Sequence, residues 1–135
     1  MKASYVTLIL NSTGGYFDKA DVPSLYVEIQ NHRAELERSL SRQLTFHDAL
    51  FSWMENIFSP IMNEILSCLK LKLIASQKSI SKVYFELYEK AEETDFRNLD
   101  ETIESYIQEN EVSVFRFMFS LFHPKKRAAV EEIAI

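Results

Sequence analysis

The sequence predicts an all-α fold, a single domain built as a bundle of five to seven helices, and three observations support that class. The 135 residues contain only two glycines, Gly14 and Gly15, and three prolines, Pro23, Pro60 and Pro124. All-β folds need Gly and Pro at frequent turns, and here neither occurs from Ile61 to His123. Apolar residues also recur at spacings of three and four along most of the chain, the period of an amphipathic helix. A chain of this length can bury roughly two thirds of its unfolded surface, so no disulfide or metal is required to hold it. With 47% hydrophobic and 26% charged residues, the composition is neither that of a disordered chain nor that of a membrane protein.

Ala3–Leu10 is rich in β-branched residues and suits either a short strand or a helix, so residues 1–20 are read as an N-terminal arm with a β-prone stretch. The bundle proper is placed at 21–123. Its first helix starts at Asp21 as the capping residue, with Pro23 in the first turn and Leu25, Ile29, Leu36 and Leu40 on one face. Thr45 and Asp48 form a capping box for the second helix, in which Leu50, Trp53, Met54, Ile57 and Phe58 are apolar. Pro60 predicts a kink or a fresh start, because it removes a helical donor. Helix then continues through Ile61–Ala75 with Ile61, Ile65, Leu66, Leu69, Leu73 and Ile74 inward, and breaks at Ser76–Ser79. Ile80, Val83, Tyr84, Leu87, Tyr88 and Ala91 form the next face. Asn98 and Glu101 are the capping pair of a short helix carrying Ile103, Tyr106 and Ile107. Val112–Phe122 alternates poorly as a strand, while Ser113, Arg116 and Ser120 fall on one helical stripe, so it is read as a largely buried helix. Pro124 opens a short C-terminal helix over 124–135.

The net charge is −5, but the signs are segregated. Lys70, Lys72, Lys78 and Lys82 occur with no acid between Glu64 and Glu86, whereas Glu86–Glu111 holds ten acids against Lys90 and Arg97. Such blocks either pair across the fold or an interface, or stand as separate solvated faces. Lys125, Lys126 and Arg127 follow Pro124 in a first helical turn, where the macrodipole disfavours cations; contact with an anionic partner or the acidic block would account for them.

Little of the sequence points to chemistry. Cys68, the only cysteine, lies in an apolar run and reads as a small buried hydrophobe. Glu28, His32 and Glu35 share one side of the first helix, but carboxylate-bridged metal sites need Glu-x-x-His on two helices. His32 is therefore read as a half-buried, hydrogen-bonded side chain. Phosphate-binding loops, nucleophile elbows and zinc-protease motifs do not occur. No catalytic residue, metal or cofactor is assigned. The acidic balance disfavours nucleic acid, which a basic footprint would attract. No apolar run approaches the roughly 18 residues of a membrane-spanning helix, and a cytoplasmic location is expected.

The stretch from Asp21 to Ile65 carries Leu25-Tyr26, Ile29, His32-Arg33, Leu36, Leu44-Thr45-Phe46, Ala49, Trp53, Ile57-Phe58, Pro60-Ile61 and Ile65. This pattern resembles an uncharacterised bacterial helical domain associated with proteins that also carry lipopolysaccharide-kinase-like regions. A glycine expected between the two helices is replaced by Ser41-Arg42. The resemblance covers about a third of the chain; it implies a helical, bacterial protein and brings no activity. The functional expectation is a non-catalytic module for protein interaction or self-association, with regulation as one use of it. Its candidate interface is Phe115, Phe117, Phe119, Phe122, Lys125, Lys126 and Arg127, and its expected partner is a protein or a second copy. The alternatives are a transcription-linked regulator and a membrane-peripheral protein, the latter because aromatics beside a polybasic group suit a lipid surface.

Overall fold

The structure, a computed structural model, describes residues 1–122, apart from the side chains of residues 113, 114, 117, 118 and 122. The described residues are all-α: α1 (Ala3–Ser12), α2 (Val22–Leu40), α3 (Phe46–Trp53), α4 (Ser59–Ser67), α5 (Leu69–Gln77), α6 (Ile80–Glu92), α7 (Leu99–Glu109) and α8 (Glu111–Phe122). A π-helical turn, Met54–Phe58, joins α3 to α4 without interruption, so the described residues form seven continuous helices and no strand. The contacts divide into two compact units, Met1–Asn63 and Glu64–Ile135. The C-terminal helix expected at 124–135 lies outside the described residues.

In the first unit, the β-prone stretch is helix α1, and a strand there is overturned. A lone strand would leave its backbone unpaired, whereas a helix satisfies its own donors and acceptors. Helical spacing also lets Tyr5 stack on Phe46 at 4.0 Å between ring centroids while Ile9, one turn on, is fully buried. Gly14 and Gly15 then take positive φ of 72° and 81°, a left-handed turn that glycine adopts without a Cβ clash. Asp21 does not cap α2 with its side chain. Its carboxylate accepts the Asp18 N–H at 3.0 Å, and Asp18 in turn accepts from Ala20 and Asp21, a local Asx arrangement that competes with capping.

The α2 stripe is buried at Leu25 and Ile29 but runs out before Leu40, which is exposed. Ser41 ends the helix in the left-handed conformation (φ 54°, ψ 40°), the position where a glycine was expected; an L residue there costs about 1–2 kcal/mol. The capping box of α3 is formed from both sides, with Thr45 Oγ1 accepting the Asp48 N–H at 3.1 Å and Asp48 Oδ2 accepting the Thr45 N–H at 3.3 Å. Pro60 produces no fresh start. The chain widens by one residue per turn beforehand, the Ser59 N–H donating to the Met54 carbonyl, which gives a proline ring room against the preceding turn.

In the second unit the helix expected through Ile61–Ala75 breaks at Cys68, which is extended (φ −82°, ψ 120°) and half-buried rather than a core residue. The break resets the helical phase. Ile61, Ile65 and Ile74 are buried as expected, but Leu66 and Leu69, also expected inward, are exposed, Leu69 by 66%, and Leu71 and Ala75 join Ile74 in the core. The expected break at Ser76–Ser79 is present, with Ser79 Oγ capping α6 by accepting the Lys82 N–H at 3.0 Å. Val83, Tyr84, Leu87, Tyr88 and Ala91 of α6 are buried, as are Ile103, Tyr106 and Ile107 of α7. Asn98 stands in left-handed conformation before α7 and makes no side-chain cap, so the expected pair with Glu101 does not form. Asp95 and Phe96 share that left-handed conformation, and the turn places Phe96 5.3 Å from the Tyr88 ring. α8 is a helix that packs on α5 and α7.

Candidate functional site

The apolar residues of α8 were expected to be largely buried, and several are not. Phe115 is 70% exposed, Val112 66% and Leu121 56%, with Phe119 at the 39% level. Spacings of three and four put Val112, Phe115 and Phe119 along one stripe of the helix. Phe115, Arg116, Phe119 and Ser120 line an open, mainly apolar groove of about 420 Å³. Of the expected interface residues, Phe115 and Phe119 are therefore brought to one surface groove. Phe117 and Phe122 belong to α8, with side chains outside the description, and Lys125, Lys126 and Arg127 lie outside the described residues. An apolar run identifies surface that avoids water; it does not say whether core or partner covers it.

A second cluster, not anticipated from the sequence, lies on α6, α7 and the turn that precedes α6. Glu86 accepts from Lys78 Nζ at 2.9 Å and from the Tyr106 hydroxyl at 2.9 Å, both on Oε1. Lys78 Nζ also stands 5.7 Å from the Tyr106 ring centroid, and Lys90 pairs with Glu109. These residues, with Glu89, Glu93 and Asn110, line an open polar cleft of about 480 Å³. Partial burial favours the neutral acid, but hydrogen bonds from Lys78 and Tyr106 outweigh it and hold the Glu86 carboxyl below its usual range. Burial, then the Glu86 carboxylate, push the Tyr106 phenol above its ordinary value. Both groups are thereby locked in their neutral-pH charge states, the opposite of what proton transfer requires. The basic and acidic blocks do meet here, through Lys78 and Glu86.

The third polar group joins α2 to α3. Glu28 is buried at 4% exposure and accepts the Trp53 Nε1–H at 3.3 Å. One turn further along α2, His32 Nε2 lies 2.8 Å from Ser52 Oγ, which also accepts from Asn56 Nδ2 at 3.1 Å. The Ser52 hydroxyl has two lone pairs and one proton, so the tautomer of His32 sets which of the two donates in their bond. Glu28 thus faces the tryptophan rather than forming a ligand set with His32 and Glu35, and among the described residues no group suited to a metal ion occurs. Ser52 is the only hydrogen-bond partner of His32 among the described residues, so the ring lacks the orienting third group of a nucleophilic triad. This pair fastens two helices.

Burial lowers the His32 pKa, and the Glu35 carboxylate offsets only part of that. A base whose folded pKa is depressed contributes stability above its unfolded value, about 6.5, and loses it as pH falls through the folded value. His32→Gln is therefore expected to flatten the stability of the first unit between pH 7 and pH 5, measured by urea unfolding on Trp53 fluorescence. An unchanged slope would remove His32 as its source. Ser52→Ala should cost about 0.5–1.5 kcal/mol at pH 7.

Among the described residues no helix is long and apolar enough to cross a membrane. No family model, curated protein or solved structure was found to match the chain.

Proposed function

We propose that this protein is a non-catalytic helical module that acts by protein interaction, and specifically by self-association, through the outward face of α8. The observation that supports this reading is the exposure of Phe115 beside Val112 on a helix otherwise packed against α5 and α7. An exposed phenylalanine leaves well over 100 Å² of apolar surface in water, at about 25 cal/mol per Å². Single exposed apolar residues are ordinary, but a row of them along one helix is the usual mark of an interface. The polar groups elsewhere support no catalytic reading: one set is locked in its charge states, and the other fastens helices. A cytoplasmic location fits this role.

The test is mass against concentration. Sedimentation or light scattering should show a mass rising above the 15.8 kDa monomer as concentration increases. Phe115→Ser should return the protein to monomer with its helical content unchanged, since the side chain it removes is largely solvated. A wild-type protein that stays monomeric at every concentration sinks the self-association reading.

A further inference from the structure

The exposed face of α8 carries more than apolar area; it carries a register. Val112, Phe115 and Phe119 follow one another at spacings of three and four, and Phe122 continues that spacing in the sequence. This is the seam of a heptad, with Val112 and Phe119 at its first position and Phe115 at its fourth. On that numbering Glu111 immediately precedes the seam and Arg116 immediately follows Phe115, so they stand on opposite edges of it. Both are exposed, and neither has an ion-pair partner among the described residues.

We infer that α8 pairs in parallel with α8 of a second copy about a two-fold axis, with Glu111 of each chain meeting Arg116 of the other. The inference rests on the self-association reading and adds its partner geometry. In a parallel pair, the residue before the seam on one helix lies opposite the residue five positions later on the other. Glu111 and Arg116 are five apart. A parallel pair therefore forms two opposite-charge contacts, whereas an antiparallel pair sets each edge against its own kind and forms neither Glu111–Arg116 contact. Charge thus selects the orientation. The β-branched Val112 also suits the first heptad position of a two-stranded pair. The groove between Phe115 and Phe119 supplies the hole that a seam residue of the second chain fills.

The seam is short, and an isolated helix of 12 residues would be marginal on its own. Here α8 is already ordered by packing on α5 and α7, so pairing does not carry the cost of forming it. Association of this size is expected to be reversible and concentration-dependent.

The experiment uses the full chain with Glu111→Lys, Arg116→Glu, the double swap of both, and Val112→Cys in a Cys68→Ser background. Sedimentation equilibrium should show each single reversal weakening the dimer by about tenfold or more, because both contacts become repulsive. The double swap should restore wild-type affinity, and a mixture of the two single variants should associate although neither does alone. In a parallel two-fold pair position 112 meets itself, so Val112→Cys should form a disulfide-linked dimer under mild oxidation. If the wild type associates but the reversals change nothing and Val112→Cys does not cross-link, the parallel register is wrong while self-association stands. If the wild type is monomeric throughout, both fall. A monomer that instead co-sediments with phosphatidylserine vesicles overturns both and assigns the face to lipid. Circular dichroism on each variant separates lost pairing from lost folding.

Discussion

Trp53→Ala is expected to destabilise the first unit by about 3–5 kcal/mol, enough to consume much of the stability of a small domain. Two losses combine in that figure. Trp53 is fully buried, and its ring stands 5.0 Å from that of Phe58, so truncation opens a large cavity next to the π-helical turn. The same change removes the indole N–H that donates to the buried Glu28 carboxylate. A buried carboxylate deprived of a donor is costly because water cannot replace it. The two parts can be separated. Trp53→Phe keeps most of the volume and removes the donor, and should cost about 1–3 kcal/mol. Glu28→Gln keeps an acceptor for the indole and should be milder than Trp53→Phe. Urea unfolding followed by far-UV circular dichroism measures all three. If Trp53→Phe is as damaging as Trp53→Ala, shape rather than the hydrogen bond governs the site. If it is neutral, the Glu28 contact contributes nothing.

How much of this was legible in the sequence depended on whether the signal was local. Thr45 and Asp48 lie within one turn of each other, and the capping box they spell is the one that forms. The break before Ile80 was legible for the same reason, a polar run ending in a serine that caps. The break at Cys68 was not: an apolar residue without Gly or Pro on either side gives no local sign that its backbone will turn extended. The missed break then misplaced part of the face beyond it, putting Leu69 inward and overlooking Leu71, while Ile74 was placed correctly. α1 was obscured by β-branched residues, whose strand preference is really a preference for a pleated, half-buried neighbourhood that this chain does not supply. At the candidate surface, the aromatic spacing of α8 was visible but its exposure was not, because hydrophobicity is the same for core and for interface. Pairing between charge blocks could be anticipated in kind. Naming Lys78, Glu86 and Tyr106 could not, since residues eight and twenty positions apart meet only once the turns before α6 and α7 are fixed.

That same cluster is expected to make the second unit sensitive to pH at both ends of the scale. Glu86 has a folded pKa below its unfolded one, so its contribution is present above about 4.3 and is lost as pH falls through the folded value. Tyr106 has a folded pKa above its unfolded one. Folding therefore favours the neutral phenol, and stability present below about pH 10 is lost as pH rises through the folded value. At neutral pH, Glu86→Ala should cost about 2 kcal/mol, because it strands both the part-buried hydroxyl of Tyr106 and the Lys78 ammonium. Glu86→Gln retains an acceptor for Tyr106 and should recover part of that, while abolishing the acid-side slope. Tyr106→Phe should instead abolish the alkaline-side slope. Trp53 fluorescence follows the first unit, whereas circular dichroism follows both, so a transition that moves only in circular dichroism belongs to the second unit. If wild type and Tyr106→Phe lose stability in parallel above pH 10, the phenol is not the group that titrates. A wild type with no acid-side slope beyond that of Glu86→Gln would remove Glu86 from the same account. Opposed slopes cancelled by two single substitutions would mean that one carboxylate, held between an ammonium and a phenol, sets the pH range over which α6 and α7 stay together.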